Sequence, residues 1–413
     1  MWSARPVAPG IFPLDRELGL SGSAFSPYVV EAMARLGTEM PFERVPEILS
    51  FFTQVGIGEE TARAVTERAG AVLQEIEEAE VVEFERGQRP EVVGPAVQQV
   101  SADGAMVHLV GDGWVEVKTL AIGKVEHTLG GDVHAREVSY FSRLDTAEVF
   151  RRLAAGELCR RGTYSAQTVC AVVDGAEWLQ KFVDWHVPQA VRILDFPHAA
   201  EHVTLVAQAI FGPGTVEASE WLGKWLHELR HGDPDQVLAA LRALSPEGST
   251  DPAAAAKTRD EVLTYLEKRR TQIAYAEFVA AGYPIGSGMV ESANKLVVEA
   301  RLKGSGMHWA RANVNPMLAL RTAACSGRWK QVWPLIWQGL CARQRKRRCQ
   351  VPADGAPPPV PASEAQPKSC ARPTRLPAIP LEKKGLMHDG RPTADHPWKR
   401  RLSSRIPATN AIS

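Results

Sequence analysis

Apolar residues along this chain recur with three successive rhythms. Over residues 28–80 they return at helical spacing, as in Val45, Ile48, Leu49 and Phe52, which predicts helices. Within 42–70 a helix carrying Ile48, Leu49 and Phe52 meets the turn Val55-Gly56-Ile57-Gly58, and a second helix opens at Glu59-Glu60-Thr61. Glycine in such a turn lets two helices cross steeply, so the stretch reads as helix-turn-helix-like. An ordinary helical hairpin fits as well, because the second helix carries Glu59, Glu60 and Glu67 beside Arg63 and Arg68.

Between 97 and 144 the period changes to that of strands. Met106-Val107-His108-Leu109-Val110, the turn Gly111-Asp112-Gly113 and Trp114–Leu120 form a hairpin signal, with a third strand at Glu137–Phe141 and a helix near 145–155. Cys170-Ala171-Val172-Val173 is an apolar run suited to a buried parallel strand and ends at Asp174-Gly175. A helix from Trp178 to Trp185 leads to another such run, Val191–Asp195. Three strands followed by strand–helix–strand units predict an α/β fold, a mixed sheet flanked by helices. Residues 199–280 read as helical, with breaks at Gly212-Pro213-Gly214, near Gly232-Asp233-Pro234 and at 246–252, and a further helix opens after Met289. The segments are therefore 1–90 (helical), 95–198 (sheet), 199–280 (helical insertion), 281–350 (last helices) and 351–413. The last holds 12 of the 29 prolines and is read as a disordered tail.

The chain has 413 residues, 45% of them apolar and 23% charged, enough for two or three domains with real cores. No run approaches 18 consecutive apolar residues, so no membrane span is expected, and the first residues lack the apolar centre of a signal peptide. Six isolated cysteines, none in a Cys-x-x-Cys pair, point to a reducing, cytoplasmic setting. The zero net charge hides an asymmetry. Residues 291–350 hold 12 basic and 2 acidic side chains and residues 351–413 hold 10 and 5, which leaves −15 for the first 290. Such a basic end suits a polyanion.

Three acids stand where chemistry is expected: Asp103 at the centre of the first strand pair, Asp174 at the end of a buried strand, and Glu291 at the start of a helix. Neighbouring parallel strands would bring Asp103 and Asp174 together, and the returning helix would bring Glu291 over them. Three clustered carboxylates repel unless a divalent cation joins them, and an all-oxygen set suits Mg²⁺ or Mn²⁺. Each acid alone also reads as an ordinary turn or helix-start residue. Asp195 and His198 sit at a strand–helix junction, which suits an N-cap or a supporting role beside Asp174; zinc held by Asp195, His198 and His202 is only weakly indicated by spacing. Arg301, Lys303, His308 and Trp309 form a basic, aromatic, glycine-bearing loop in which the cations would meet phosphate, and Trp309 either stacks on a base or is buried. Arg345, Lys346, Arg347 and Arg348 form a basic run suited to non-specific DNA contact. Trp329, Trp333 and Trp337 recur every four residues and read as a core-facing stripe.

Together these pieces resemble a known family. Phe12-Pro13-Leu14-Asp15, Ser101–Val107, Val172–Ala176, Leu194–His202, Ile285–Lys295 and Arg301–Trp309 occur in the order seen in insertion-sequence transposases of the ISKra-four family, a DDE type similar in layout to Mutator-like transposases. The resemblance spans about residues 12–340. It implies an RNase H-like core with a helical insertion before the final acid, and a metal-binding triad of Asp103, Asp174 and Glu291. It also implies an Asp-x-x-His element at Asp195 and His198, and DNA contacts that include Lys295. The expected activity is metal-dependent hydrolysis at element ends and strand transfer into double-stranded DNA by a homodimer or larger oligomer, in the nucleoid of a prokaryotic cytoplasm. A catalytically decayed, DNA-binding copy and an RNase H-like nuclease are the alternatives. Relatives carry paired cysteines before the Phe-Pro-Leu-Asp segment and Met1–Ala8 has none, which points to a missing zinc element or a truncated reading frame.

Overall fold

The computed structural model describes residues 25–128, 133–304, 307–349, 387–388 and 391–392. The chain divides into two compact units, Met1–Val351 and Pro352–Ser413. The described part of the second is one antiparallel pairing of β6 (Met387–His388) with β7 (Arg391–Pro392). The rest of that tail, residues 1–24 and the Phe-Pro-Leu-Asp segment lie outside the described residues.

The first unit opens with α1 (Pro27–Glu39), capped by the Ser26 hydroxyl, then α2 (Val45–Thr53) and α3 (Glu59–Glu85). The α2–α3 link is where the glycine turn is expected. Helix α3 continues for 27 residues and buries a stripe from Ala62 to Phe84. It packs against α1, against α13 (Arg311–Cys325) and against α14 (Trp329–Cys349). The tryptophan stripe of α14 does face that core: Trp333 is buried, and Trp329 and Trp337 pack beside it.

The sheet holds β1 (Val97–Leu109), β2 (Gly113–His127), β3 (Val133–Arg143), β4 (Thr168–Val173) and β5 (Val191–Leu194) in the order β3-β2-β1-β4-β5. The first three are antiparallel, while β4 and β5 run parallel to β1 and to each other. The crossovers need helices, supplied by α4 (Ala147–Arg160) and α5 (Glu177–His186). Alternate positions then divide by face. Val100, Ala102, Leu120 and Ile122 pack on Phe150, Leu153 and Phe182 of those helices. Ala105, Val107 and Leu109 face Val297, Val298 and Leu318 on the other side.

Residues 199–280 form helices with breaks near 212–215, 232–233 and 244–251, where the glycines and prolines stand. Helix α6 (Phe196–Phe211) is followed by α7 (Val216–His231), α8 (Pro234–Ala243), α9 (Pro252–Glu267) and α10 (Tyr275–Ala280), which share a core with Cys170, Val172 and Ile193. The chain then returns as α11 (Gly288–Ala293), a π-helical turn (Asn294–Glu299) and the short α12 (Ala300–Leu302). Among the described residues no helix is long and apolar enough to cross a membrane.

A buried ionic cluster ties the N-terminal helices to the sheet. Arg143, at the end of β3 and fully buried, pairs with Glu77 of α3. Arg328, between α13 and α14, lies 3.5 Å from both Glu77 and Glu157 of α4. Arg160 reaches Glu157 at 3.0 Å and also pairs with Glu80. Burial acts to raise the Glu157 carboxyl, but Arg160 and Arg328 outweigh it and hold the group below its ordinary value of 4.5. Its charged state therefore stabilises the fold above the ordinary carboxylate range, and that contribution is lost as pH falls through the lowered value. Glu157→Gln should lower stability by about 2 kcal/mol at neutral pH, read from the denaturant midpoint, because Arg160 and Arg328 each lose one of their two carboxylate partners. The deficit relative to wild type should shrink as the medium is acidified below pH 4.5. A constant deficit from neutral to acid pH would show that the carboxylate charge is not what stabilises.

Candidate functional site: a row of carboxylates on one sheet level

The strand register aligns three aspartates. Val97 to Val100 pair with Thr168 to Ala171, and the same offset carried three residues on sets Asp103 beside Asp174. Val172 and Val173 pair with Ile193 and Leu194, and the next step sets Asp174 beside Asp195. Adjacent strands lie about 4.8 Å apart, so the three occupy one level of the sheet. Asp103 shares its face with Gln99, Ser101 and Ala105, the face crossed by α11 and the π-helical turn. The register thus points Asp103 and Asp174 at one level, the charge of Asp174 acts on Asp103, and Glu291 lies on the crossing helix.

Each carboxylate of the row is held by N–H donors. The Asp103 Oδ1 accepts from its neighbour Gly104 N at 2.7 Å, and its Oδ2 accepts from Asn294 Nδ2 at 2.9 Å. The Asp174 Oδ1 accepts from Ala176 N at 2.8 Å. Asp195 is buried; its Oδ2 accepts from His198 N at 3.1 Å as the N-cap of α6, and its Oδ1 accepts from Ser287 N at 2.6 Å. That second bond fixes the residue just before α11, and Gln99 Nε2 donates to the adjacent Gly286 carbonyl at 2.9 Å. Asp195 is therefore both a cap and the tether that places the helix of Glu291. His198 makes a looser contribution: its ring lies 4.8 Å from that of His202 and its Nδ1 lies 3.8 Å from Glu201.

The carboxyl of Asp103 is raised above its ordinary value. Burial is the largest cause; the Gly104 amide opposes it, and the charges of Asp174, Glu116 and Glu291 add to the rise. Glu291 itself is exposed. Among the described residues no three His, Cys, Asp or Glu side chains stand close enough to hold a metal ion as they are. Charge repulsion reaches farther than a coordination bond, so both observations hold together. The all-oxygen donor set and the mutual repulsion at Asp103 fit a hard divalent cation, and the exposed Glu291 is the member with most freedom to close on one.

Two expected nucleic-acid contacts are corrected. Arg301 is 2% exposed; its Nε donates to the Gly37 carbonyl at 2.9 Å, and its guanidinium lies 4.6 Å from the Phe42 ring and 4.9 Å from that of Trp309. Trp309 is buried, and its backbone carbonyl accepts from Val110 N at 3.0 Å, extending the sheet beside Leu109. The loop after α12 folds back over the helices, so these groups serve packing. Of the remaining candidates, Lys295 and His308 are exposed, and Lys303 pairs with Glu299 at 2.8 Å. Arg345 and Lys346 are exposed near the end of α14; Arg347 and Arg348 continue that helix, with side chains outside the described residues.

Sequence reasoning passed over four residues that the fold brings to this level: Gln99, Tyr265, Arg269 and Asn294. Only Asn294 had a signal, three residues after Glu291 and so near it on the same helix surface. The Tyr265 Oη donates to the Asp174 carbonyl at 2.6 Å and Arg269 Nη2 donates to the Gly175 carbonyl at 2.7 Å, from about 90 residues away.

Neither a scan of the chain against protein-family models nor a search of curated proteins finds a match.

The raised Asp103 gives a testable sign. A raised carboxyl disfavours the charged folded form, so its burden grows as pH rises through the raised value. Asp103→Asn should raise the thermal midpoint of the cation-free chain by on the order of 2 °C at pH 8 and change it little at pH 3, measured by scanning calorimetry. A lower midpoint at pH 8 would mean that the Asp103 charge is satisfied without a cation.

Proposed function

We propose that the chain is a DNA transposase with an RNase H-like core, cleaving phosphodiesters at element ends and joining the freed 3′-hydroxyl to target DNA. The observation that carries this reading is that the charges of Asp174 and Glu291 both act on Asp103, on strands whose parallel pairing, carried three residues on, would bring Asp103 level with Asp174. The core reading is supported by three antiparallel strands followed by two parallel ones, with a helical insertion between the second acid and the third.

In this reading Asp103, Asp174 and Glu291 would hold Mg²⁺ or Mn²⁺. Bound there, such ions supply activation of the attacking oxygen and charge stabilisation for the leaving one. The chain's own residues orient the set. Asn294 fixes the Asp103 carboxylate, and Asp195, through Ser287, sets where α11 begins. Lys295, one residue beyond Asn294, and His308 lie exposed on the same returning segment and would meet phosphates near the cut. Arg345 and Lys346 extend the basic surface on α14. The α2–α3 pair is a weaker DNA-binding candidate, since Arg63 is engaged by Glu59 at 2.7 Å and Glu60 at 3.3 Å. Two element ends call for two active sites, so a homodimer on DNA belongs to the same reading.

A labelled duplex made from the DNA on either side of the gene provides the test. Asp103→Asn, Asp174→Asn and Glu291→Gln should each reduce Mg²⁺-dependent cleavage to below about a hundredth of wild type, with DNA binding retained. Normal cleavage by Glu291→Gln would sink the triad. Binding without cleavage by the unaltered chain would favour a decayed copy, and preference for RNA or hybrid duplexes would favour a nuclease.

Salt dependence separates surface cations from buried ones. Lys295→Ala should reduce the slope of log affinity against log salt by about 1, whereas Arg301→Ala should leave the slope unchanged and cost about 2 kcal/mol of folding stability. Equal slopes for wild type and Lys295→Ala would remove Lys295 from the interface.

A further inference from the structure

We propose that the helical insertion acts on the acidic site directly: Tyr265 and Arg269 are positioning residues that lock the Asp174-Gly175 turn so that the Asp174 carboxylate stays presented beside Asp103. The inference rests on the reading of Asp103, Asp174 and Glu291 as an ion-binding set.

Tyr265 stands in the last turn of α9, and Arg269 follows just past its end. Their donors converge on two consecutive carbonyls, Tyr265 Oη on Asp174 and Arg269 Nη2 on Gly175. The two side chains are also fixed to each other. Arg269 Nη1 donates to the Tyr265 carbonyl at 2.9 Å, and its guanidinium lies 3.9 Å from the centre of the Tyr265 ring. His202 of α6 stacks on that ring at 4.2 Å, so the phenol cannot swing away without breaking the stack.

The turn they hold is one that glycine makes possible. Gly175 has φ of +82°, and a Cβ there would sit 2.5 Å from Tyr265 Oη and 2.6 Å from Arg269 Nε. The clamp thus closes on bare backbone. On the turn's other side the Asp174 carboxylate is bound to Ala176 N. With its carbonyl and its carboxylate held from two directions, Asp174 has one orientation. Arg269 Nε is buried without a hydrogen-bond partner, a cost set against the two bonds that its fork makes. Each side chain acts through the backbone of the acid or its neighbour, and holding a ligand group's orientation is how such outer partners tune a metal site.

Calorimetric titration of the full chain with MnCl₂, in the absence of DNA, tests the clamp together with the thermal midpoints of the ion-free proteins. Wild type should bind Mn²⁺, and Asp174→Asn should lose that binding. Tyr265→Phe and Arg269→Lys should each weaken Mn²⁺ by about tenfold while their ion-free midpoints stay within about 2 °C of wild type. A merely structural role would do the opposite, lowering the midpoint and leaving affinity unchanged. Wild-type affinity in both variants, with binding lost in Asp174→Asn, overturns the clamp and leaves the triad standing. No Mn²⁺ uptake by the wild type overturns both. If Arg269→Lys does not fold, Tyr265→Phe, which removes a single oxygen, decides the question alone.

Discussion

Carboxylates placed side by side on one level of a sheet repel, and much of this structure is arranged around that constraint. Asp103, Asp174 and Asp195 each accept an N–H from the residue that follows closely in the chain: Gly104, Ala176 and His198. Two of them also accept from the returning segment, Asp103 from Asn294 and Asp195 from Ser287. These bonds offset part of the cost of gathering like charge without neutralising it, and Asp103 remains raised. The row is thus satisfied enough to fold while its charges still act on one another.

The frame around the row is built to keep its level fixed. On one side the insertion reaches back through Tyr265 and Arg269 to the end of β4. On the other, the charged cluster of Glu77, Arg143, Glu157, Arg160 and Arg328 joins α3, β3, α4 and the α13–α14 junction. Removing one member of a buried cluster strands the others, so such a joint is specific as well as costly. The sheet end and the helix carrying Glu291 are thus positioned by separate parts of the chain that meet only in three dimensions.

The same packing changes the meaning of the charge asymmetry. A basic end following an acidic body suggests a polyanionic partner, but part of that excess is answered within the molecule. Arg311 pairs with Asp112, Arg321 with Glu39, Arg328 with Glu77 and Glu157, and Arg343 with Glu75. Arg301 is enclosed by aromatic rings and its burial, together with Arg321, lowers its pKa to about 10. The basic surface left open to solvent is correspondingly narrower and includes the exposed Lys295, Arg345 and Lys346.

Much of the fold was legible along the chain because it follows from local periodicity. Alternation over 97–144, two short apolar runs and a long helical stretch yield three antiparallel strands, two parallel ones and the insertion. Acids at Asp103 and Asp174 were visible because charge is conspicuous in buried strands, and Asp195 because it caps a helix. What tertiary structure alone decided is register and burial. A strand pattern does not state its offset from a neighbour, yet that offset sets Asp103 level with Asp174. A basic aromatic loop reads the same whether it faces solvent or folds inward, and here Arg301 and Trp309 fold inward. Tyr265 and Arg269 are ordinary helix residues until packing brings them to a carbonyl about 90 positions away, since hydrogen bonds of that kind depend on proximity that no local pattern encodes.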